Sequence, residues 1–221
     1  MSAALREPLL AGLDDLGLVL HEAQQESLLA FLSLLQQWNR VYNLTSVRDP
    51  GEMLTHHLLD SLTAVVALRR WLQEAGADAP ARLLDVGSGG GLPGVVFAIC
   101  LPELAVSCVD AVAKKAAFIQ QAAGALQLRN LRGVHARVEK LAGEFDVVSS
   151  RAFASLADFT SCSLHLLAPR GVWLAMKGKV PTEEMATLPP DVAVFHVEPL
   201  RVPQLDAERC IVWMRPRMAL H

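Results

Sequence analysis

The first 80 residues carry apolar side chains at helical spacing. Between Glu22 and Tyr42 these side chains recur every three or four positions, the period of one helix face, at Leu28, Phe31, Leu32, Leu35, Trp38 and Tyr42. After an RDPGE turn, the segment EMLTHHLLDSLTAVVALRRWLQEAG returns to the same period and stops at Gly76. Residues 1–80 are therefore predicted to form a helical extension.

Beyond this extension the pattern changes to short β-branched runs that alternate with helical stretches, which is typical of β-α units on a parallel sheet. Strands are predicted at 82–86, 104–109, 131–135, 145–149 and 171–176, followed by late strands at 192–198 and 209–215. Helices are predicted at 112–126 and about 155–168, the second ending before a turn at Pro169–Gly171. Residues 81–221 are thus expected to form one α/β domain, a Rossmann-like, doubly wound and mostly parallel seven-stranded sheet with a late antiparallel strand.

Composition and charge limit the classes of partner. The chain has 52% hydrophobic residues, enough for a sizeable core. Its longest apolar run is interrupted by Pro93 and Pro102, so no membrane span is expected, and the N-terminus lacks the basic head of an export signal. We therefore expect a cytoplasmic protein and, without a coiled-coil seam, a monomer. The net charge of −3 gives no overall attraction to nucleic acid, so an RNA partner would need a local basic patch.

The sequence offers no metal site. Its four cysteines form no Cys-x-x-Cys pair, and His56 and His57 are adjacent on a predicted helix, where they point about 100° apart. We expect the two histidines to join a polar contact between the extension and the α/β domain, together with Asn39, Asn43, Thr45, Asp60 and Ser61.

A glycine-rich loop follows the first predicted strand, in the stretch LLDVGSGGGLPG at 83–94. Glycine permits positive φ and a close approach of the backbone to a ligand. Asp110 ends the second predicted strand about 20 residues further on, where a carboxylate can accept hydrogen bonds from both hydroxyls of a ribose. The same spacing serves NAD, and Gly89-x-Gly91-x-x-Gly94 fits the dinucleotide pattern, so an NAD-dependent oxidoreductase is one alternative.

Asp85 favours a different ligand. It completes Asp85-x-Gly87-x-Gly89-x-Gly91, the first motif of the class I methyltransferases that use S-adenosylmethionine (SAM). A carboxylate at this position suits the cationic methionyl end of SAM, whereas it would repel the pyrophosphate of NAD. Asp85, Gly87, Gly89 and Asp110 are therefore predicted to form the SAM site. A small-molecule methyltransferase and a SAM-binding regulatory module without activity remain alternatives.

Five segments of the chain together resemble one family. They are WNRVYNLTSVRDPGEMLTHHLLDSL at 38–62, LLDVGSGGGLPG at 83–94, RVEKL at 137–141, SSRAFASL at 149–156 and MKGK at 176–179. This order and content resemble ribosomal small subunit methyltransferase G, the glucose-inhibited division protein B family. The resemblance implies a SAM-dependent enzyme that methylates N7 of guanine 527 in the 16S rRNA of the 30S subunit. It also implies SAM contacts from Gly87, Leu92, Val138, Glu139 and Arg151.

No catalytic acid or base is expected. Methyl transfer from SAM is an in-line displacement that depends mainly on orientation. The end of the fourth predicted strand has neither an Asn/Asp-Pro-Pro-Tyr motif for an amine acceptor nor a cysteine nucleophile for a pyrimidine carbon. Guanine N7 has a free lone pair and needs neither, although a small-molecule nucleophile would fit equally well.

RNA contacts are predicted from basic side chains. We expect Lys177 and Lys179, together with the helical face around Arg40 and Arg48, to contact phosphates. Further basic residues cluster at 129–140 and near the C-terminus, although such charges serve equally well as solvated surface.

Overall fold

The computed structural model describes residues 2–76, 80–153 and 155–217, except for the side chains of Ser2 and Ala3. The helical part contains α1 (Ser2–Asp15), α2 (Glu22–Tyr42), α3 (Pro50–Met53), a π-helix (Leu54–Leu59) and α4 (Asp60–Ala75). The strands that follow are β1 (Arg82–Val86), β2 (Ala105–Asp110), β3 (Leu131–His135), β4 (Phe145–Arg151), β5 (Leu167–Lys177), β6 (Val192–Leu200) and β7 (Arg209–Pro216). Between them lie α5 (Gly94–Cys100), α6 (Ala113–Ala125), α7 (Leu156–Ser163) and α8 (Thr182–Ala186).

The seven strands form one sheet in the order β3-β2-β1-β4-β5-β7-β6. Strands β1 to β5 pair in parallel, whereas β7 is antiparallel to both β5 and β6. The predicted mostly parallel sheet with a late antiparallel strand is confirmed. Because β1 lies between β2 and β4, the strand order reverses at β1, and ligands of such sheets bind in the crevice at the carboxyl ends of the strands there.

Each face of the sheet is covered by its own hydrophobic core. Along β1, Leu83 belongs to the core shared with α1 to α6, while Leu84 belongs to the core under α7. The first core contains Leu28 and Leu62 of the helical extension together with Phe97 of α5. The extension therefore covers one face of the sheet. The sequence predicts a boundary between residues 80 and 81. Residues 77–79, just before it, lie outside the described residues, so this division stays a prediction.

Helix α2 packs against the α/β part by both polar and aromatic contacts. The Gln24 side chain donates hydrogen bonds to the carbonyl oxygens of Ile99 (2.9 Å) and Cys100 (3.3 Å) at the end of α5. Trp38 packs on Phe118 of α6, with 5.4 Å between ring centroids. Most of the predicted apolar face is buried, whereas Tyr42 at its end is 38% exposed.

The predicted turn at Pro169–Gly171 is wrong, because β5 runs through it. Phe145 pairs with Leu167 and Val147 pairs with Val172, so β5 carries extra residues that form a bulge opposite β4. Proline, which has no N–H to donate, is accommodated at such an irregularity. The helix predicted at about 155–168 accordingly ends at Ser163, and a 3₁₀ turn (Leu164–Leu166) leads into the strand.

The described residues include no helix with the length and hydropathy needed to cross a bilayer.

Candidate functional site

The glycine loop presents bare backbone at the carboxyl end of β1. Gly87 is exposed and Gly89 is half-buried, and both have positive φ, +68° and +56°. The N–H groups of Gly87 and Ser88 donate to the carbonyl oxygen of Val109 on β2, at 2.9 and 3.2 Å. These hydrogen bonds to β2 fix the loop on one side, while its exposed side is open to a ligand.

Asp110 anchors this loop at the end of β2. Its Oδ2 accepts a hydrogen bond from the Gly89 N–H (3.0 Å), and its Oδ1 accepts one from the Val112 N–H (2.8 Å). A carboxylate has about four acceptor positions, so Asp110 retains capacity for hydroxyl donors. The structure places Asp110 beside the glycine loop, as the sequence predicts, and its role as a ribose acceptor stays a prediction.

Asp85 lies wholly inside the protein beneath the loop. Its Oδ1 accepts from the Ser149 hydroxyl (3.0 Å) and its Oδ2 from the Gly94 N–H (3.2 Å). Burial raises the pKa of Asp85 to about 6, and the hydrogen bonds from Ser88, Ser149 and Gly94 oppose this shift only in part. Asp85 thus holds β1, β4 and the start of α5 together, and its predicted electrostatic effect on a ligand remains untested.

Close packing explains why position 94 is a glycine. A Cβ built there would collide with the Cys108 sulfur and would lie 3.0 Å from Asp85 Oδ2. Glycine at this position lets α5 approach the sheet closely and lets its first N–H reach the Asp85 carboxylate.

The residues named by the family resemblance lie along the same edge of the sheet. Val138 is buried at the start of a 3₁₀ turn (Val138–Lys140) after β3, and Glu139 is exposed beside it. The Ala136 N–H donates to the Asp110 carbonyl oxygen (3.2 Å), which ties this segment to the end of β2. Leu92 is 5% exposed, with its side chain in the core, so a ligand would meet its backbone. The predicted cofactor contacts of Leu92, Val138 and Glu139 stay predictions.

Arg151, the last residue of β4, is bound to the helical extension. Its Nη1 donates to the His56 carbonyl oxygen and to Asp60 Oδ2, both at 3.0 Å. Asp60 Oδ1 accepts a second hydrogen bond from Arg209 Nε on β7 (2.9 Å). The predicted polar contact between the extension and the α/β part is thereby confirmed for Asp60. Its two arginine partners were not predicted.

His57 is buried, but its side-chain hydrogen bond and those of Thr45 and Asn39 join parts of the helical extension, whereas the prediction was a contact between the extension and the α/β part. The Nε2 of His57 lies 2.8 Å from the Thr45 hydroxyl, and the Thr45 N–H donates to Asn39 Oδ1 (2.8 Å). Burial and, less strongly, the positive charge of Arg151 lower the pKa of His57 to about 4, so the ring is neutral at pH 7. Asn43 bonds instead to Arg48 (3.3 Å). Across the described residues, no group of three or more His, Cys, Asp or Glu side chains is placed to hold a metal.

A pocket of about 410 Å³ opens where β4 and β5 end and β7 begins, and one of its lining residues, Phe153, is next to Gly87 of the glycine loop. The pocket lining includes the polar side chains of Asp60, Arg151 and Arg209 and the apolar side chains of Phe153 and Met176. Such a volume falls within the roughly 300–1,000 Å³ of small-ligand sites. Sequence reasoning missed Phe153, and it named Arg209 only as one of the basic residues near the C-terminus. For Phe153 a signal was present, since it follows Arg151 by two residues at the end of a strand.

The two lysines predicted to contact RNA differ in the structure. Lys177 Nζ forms an ion pair with Glu184, at 2.8 Å from Oε2, and its side chain is only 14% exposed. The Leu156 N–H also donates to Glu184 Oε2 (2.8 Å). Lys179 is exposed. Lys177 therefore helps to fix the loop after β4, while Lys179 presents its charge to solvent.

Solved structures with a similar fold include methyltransferases. A 1,6-didemethyltoxoflavin-N1-methyltransferase from Burkholderia thailandensis, solved with S-adenosylhomocysteine, matches with a TM-score of 0.56 and 17% identity over 85% of this chain and 89% of that one. A SAM-dependent methyltransferase from Thiobacillus denitrificans matches with a TM-score of 0.51 and 14% identity over 84% and 97% of the two chains. These similarities show the class I methyltransferase fold.

Comparison of the sequence identifies the family, whereas structural similarity shows only the fold. The family model described as rRNA small subunit methyltransferase G matches residues 24–212. A protein of Acidovorax sp. (strain JS42) named ribosomal RNA small subunit methyltransferase G is 70% identical to this chain over 217 residues, which cover 96% of this chain and 94% of that protein. A protein of the same name from Polaromonas naphthalenivorans (strain CJ2) is 63% identical over 212 residues, which cover 96% of each chain. With the glycine loop, Asp110 and Arg151 at one edge of a methyltransferase sheet, the chain belongs to the rRNA small subunit methyltransferase G family.

Proposed function

We propose that this protein transfers the methyl group of SAM to N7 of guanine 527 in 16S rRNA. Membership of an rRNA methyltransferase family and the methyltransferase fold support SAM as the donor and rRNA as the acceptor. The observation that carries N7 as the acceptor atom is the state of Asp60, His57 and Cys210, which line the pocket at the ends of β4 and β5.

The residues at the carboxyl edge of the sheet fit SAM. The exposed backbone of Gly87 and the half-buried backbone of Gly89 leave room for the methionyl part, and Asp110 retains acceptor capacity for ribose hydroxyls. Val138 and Glu139 lie on the β3 side of this edge, where they would hold the adenine. When bound, SAM supplies a methyl group already activated by the sulfonium. The chain's task is to orient the acceptor and to exclude water.

Three ionisable groups that line the pocket, Asp60, His57 and Cys210, are poorly suited to remove a proton or to attack a base. Asp60 accepts hydrogen bonds from both Arg151 and Arg209. Burial lowers the pKa of His57 to about 4, which makes its ring a weak base, and its Nε2 lies 2.8 Å from the Thr45 hydroxyl. Burial raises the pKa of the Cys210 thiol, which keeps it protonated at pH 7. An exocyclic amine needs a base and a pyrimidine C5 needs a nucleophile, whereas N7 needs neither.

Two alternatives are less well supported. An NAD-dependent oxidoreductase would place the pyrophosphate near the Asp85 carboxylate, and the family relationship favours methyl transfer. A small-molecule methyltransferase suits the pocket, but the relatives over nearly the whole chain are named as rRNA enzymes.

The test uses 30S subunits from a strain that lacks this protein. Purified enzyme and labelled SAM are added, and the label is mapped on the RNA. We expect one labelled guanine, at position 527 and at N7. The proposal would be overturned if the label were found at another base or atom, or if no RNA were labelled. Calorimetry with SAM, S-adenosylhomocysteine and NAD tests the donor separately, since NAD binding without SAM binding would support the oxidoreductase.

We also propose that the enzyme acts as a monomer in the cytoplasm, where 30S subunits are found. Sedimentation of the purified protein at micromolar concentration tests the oligomeric state.

A further inference from the structure

Phe153 lies at the border between the glycine loop and the pocket beyond β4. A Cβ built on Gly87 would be 3.7 Å from Cδ2 of the Phe153 ring, so the ring is next to the exposed backbone where SAM is proposed to bind. Phe153 also lines the 410 Å³ pocket with Asp60, Arg151 and Met176. The ring therefore stands between the proposed donor and the space left for the acceptor.

Residues on both sides of Phe153 form hydrogen bonds that anchor them. Before it, Arg151 is bonded to Asp60 and to the His56 carbonyl oxygen. After it, the Leu156 N–H is bonded to Glu184, which is paired with Lys177. Ala152 has φ +60°, a conformation that costs energy for a residue with a Cβ and persists where the surroundings impose it, often at functional sites.

One side of the Phe153 ring packs against a buried side chain. Phe153 packs against the buried Phe159 of α7, with 5.7 Å between centroids and 49° between ring planes. It joins the core under α7 while remaining partly exposed on the pocket side. Phe153 therefore contributes a half-buried aromatic ring to the pocket lining.

We infer that Phe153 is the platform on which the target base stacks while its acceptor nitrogen faces the methyl group. The inference rests on the proposed function. RNA bases that are read singly are unstacked from the RNA and stacked on aromatic side chains. The pocket lining has the matching chemistry, since it offers apolar side chains for the face of a base and polar side chains for its edge.

The substitutions Phe153→Leu and Phe153→Tyr distinguish a role in base stacking from a role in apolar packing alone. Phe153→Leu keeps an apolar side chain but removes the flat ring, and Phe153→Tyr keeps the ring. Phe195→Leu is the matched control, because Phe195 is an aromatic residue, 40% exposed, that packs on Trp213 away from the glycine loop. For each variant, kcat and KM for 30S subunits, the Kd for SAM and the urea unfolding curve are measured.

We expect Phe153→Leu to lower kcat/KM for the RNA by about tenfold, because base stacking on an aromatic ring contributes roughly 5- to 150-fold in affinity. Phe153→Tyr should remain within about threefold of wild type, as should Phe195→Leu, and the Kd for SAM should be unchanged in all three. The inference is overturned if Phe153→Leu methylates like wild type, if Phe153→Tyr loses as much as Phe153→Leu, or if SAM affinity falls in parallel with RNA methylation.

Mapping the wild-type label in the same experiment separates this inference from the proposed function. Label at a guanine other than 527 would refute the assigned position, while the comparison of leucine with tyrosine would still decide whether Phe153 stacks on the methylated base. Correct label at guanine 527 with full activity of Phe153→Leu would refute the inference alone.

Discussion

Asp60 and Arg209 lie 149 positions apart in the chain, and their side chains are joined by a hydrogen bond of 2.9 Å. The other oxygen of Asp60 is bound by Arg151 at 3.0 Å. One carboxylate at the start of α4 therefore ties the helical extension to the end of β4 and to the start of β7. These are the strands that border the pocket, so the extension helps to set the shape of the acceptor site.

Replacing Asp60 by asparagine should destabilise the protein. Asp60 is 3% exposed, and its removal would leave two arginines without their carboxylate. Breaking a buried pair costs about 3–5 kcal/mol, but the arginines are partly exposed, so we expect a loss of about 1–3 kcal/mol in the free energy of unfolding. Urea denaturation measures this loss. Asp14→Asn, at an exposed position of α1, is the control and should change stability by less than about 0.5 kcal/mol. Equal effects of the two substitutions would contradict the structural role of Asp60.

Asp85 should make stability depend on pH. Its pKa is raised from 3.8 to about 6 in the folded protein, mainly by burial, so the folded state binds more protons than the unfolded state between about pH 4 and 6. Stability contributed by this group is therefore present below pH 4 and is lost as the pH rises through 6. Asp85→Asn removes the titration, so the stability of the variant relative to wild type should increase by about 1–3 kcal/mol between pH 4 and 7.

Urea denaturation of wild type and Asp85→Asn at several pH values checks this prediction. Other carboxyl groups titrate alike in both proteins and cancel in the difference. A difference in unfolding free energy that stays constant from pH 4 to 7 would show that Asp85 ionises normally in the folded protein.

Local patterns predict much of the fold because they report which side chains are buried. The strands β1 and β3 have the predicted bounds, and α2 begins and ends where its apolar period does. The error at β5 arose because a Pro-x-Gly sequence is equally compatible with a turn and with a bulge inside a strand. Which of the two forms is decided by pairing with Phe145 and Val147 on β4, which the local sequence does not contain.

The candidate site was predictable where one motif carries it and not where distant segments meet. The glycine loop and Asp110 belong to one β-α-β unit, so their spacing places them together. The contact of Asp60 with Arg151 and Arg209 joins residues far apart in sequence, and no short pattern specifies such pairs. The ion pair of Lys177 with Glu184 likewise depends on how α8 folds back against the end of β5.

Asp110→Asn should weaken SAM binding. The carboxylate fixes the Gly89 N–H and is proposed to accept the ribose hydroxyls, so its loss should reduce affinity by about 1–3 kcal/mol in calorimetry with SAM or S-adenosylhomocysteine. Asp146→Asn is a matched control. Asp146 also accepts a backbone hydrogen bond, from the Arg82 N–H at 2.7 Å, but lies at the amino ends of the strands. If both variants bind SAM like wild type, Asp110 is not part of the site.

The two lysines after β5 should give different phenotypes. Lys179 is exposed and its charge is available to a phosphate, so Lys179→Ala should weaken binding to 30S subunits while SAM affinity is kept. Each phosphate contact that is lost should also make the dependence of log K on log salt shallower, by about 0.7–0.9. Lys177 is paired with Glu184 and 14% exposed, so Lys177→Ala should instead lower the free energy of unfolding, by about 1 kcal/mol.

Binding to 30S subunits over a salt series, together with urea denaturation, distinguishes these outcomes. Arg170→Ala is the control, because Arg170 is exposed at the opposite end of the same strand and should alter neither the salt slope nor stability appreciably. If the Lys179 and Arg170 variants show the same salt slope as wild type, the RNA does not contact the loop after β5. The phosphate contacts would then be sought on the helical face around Arg40 and Arg48, both of which are exposed.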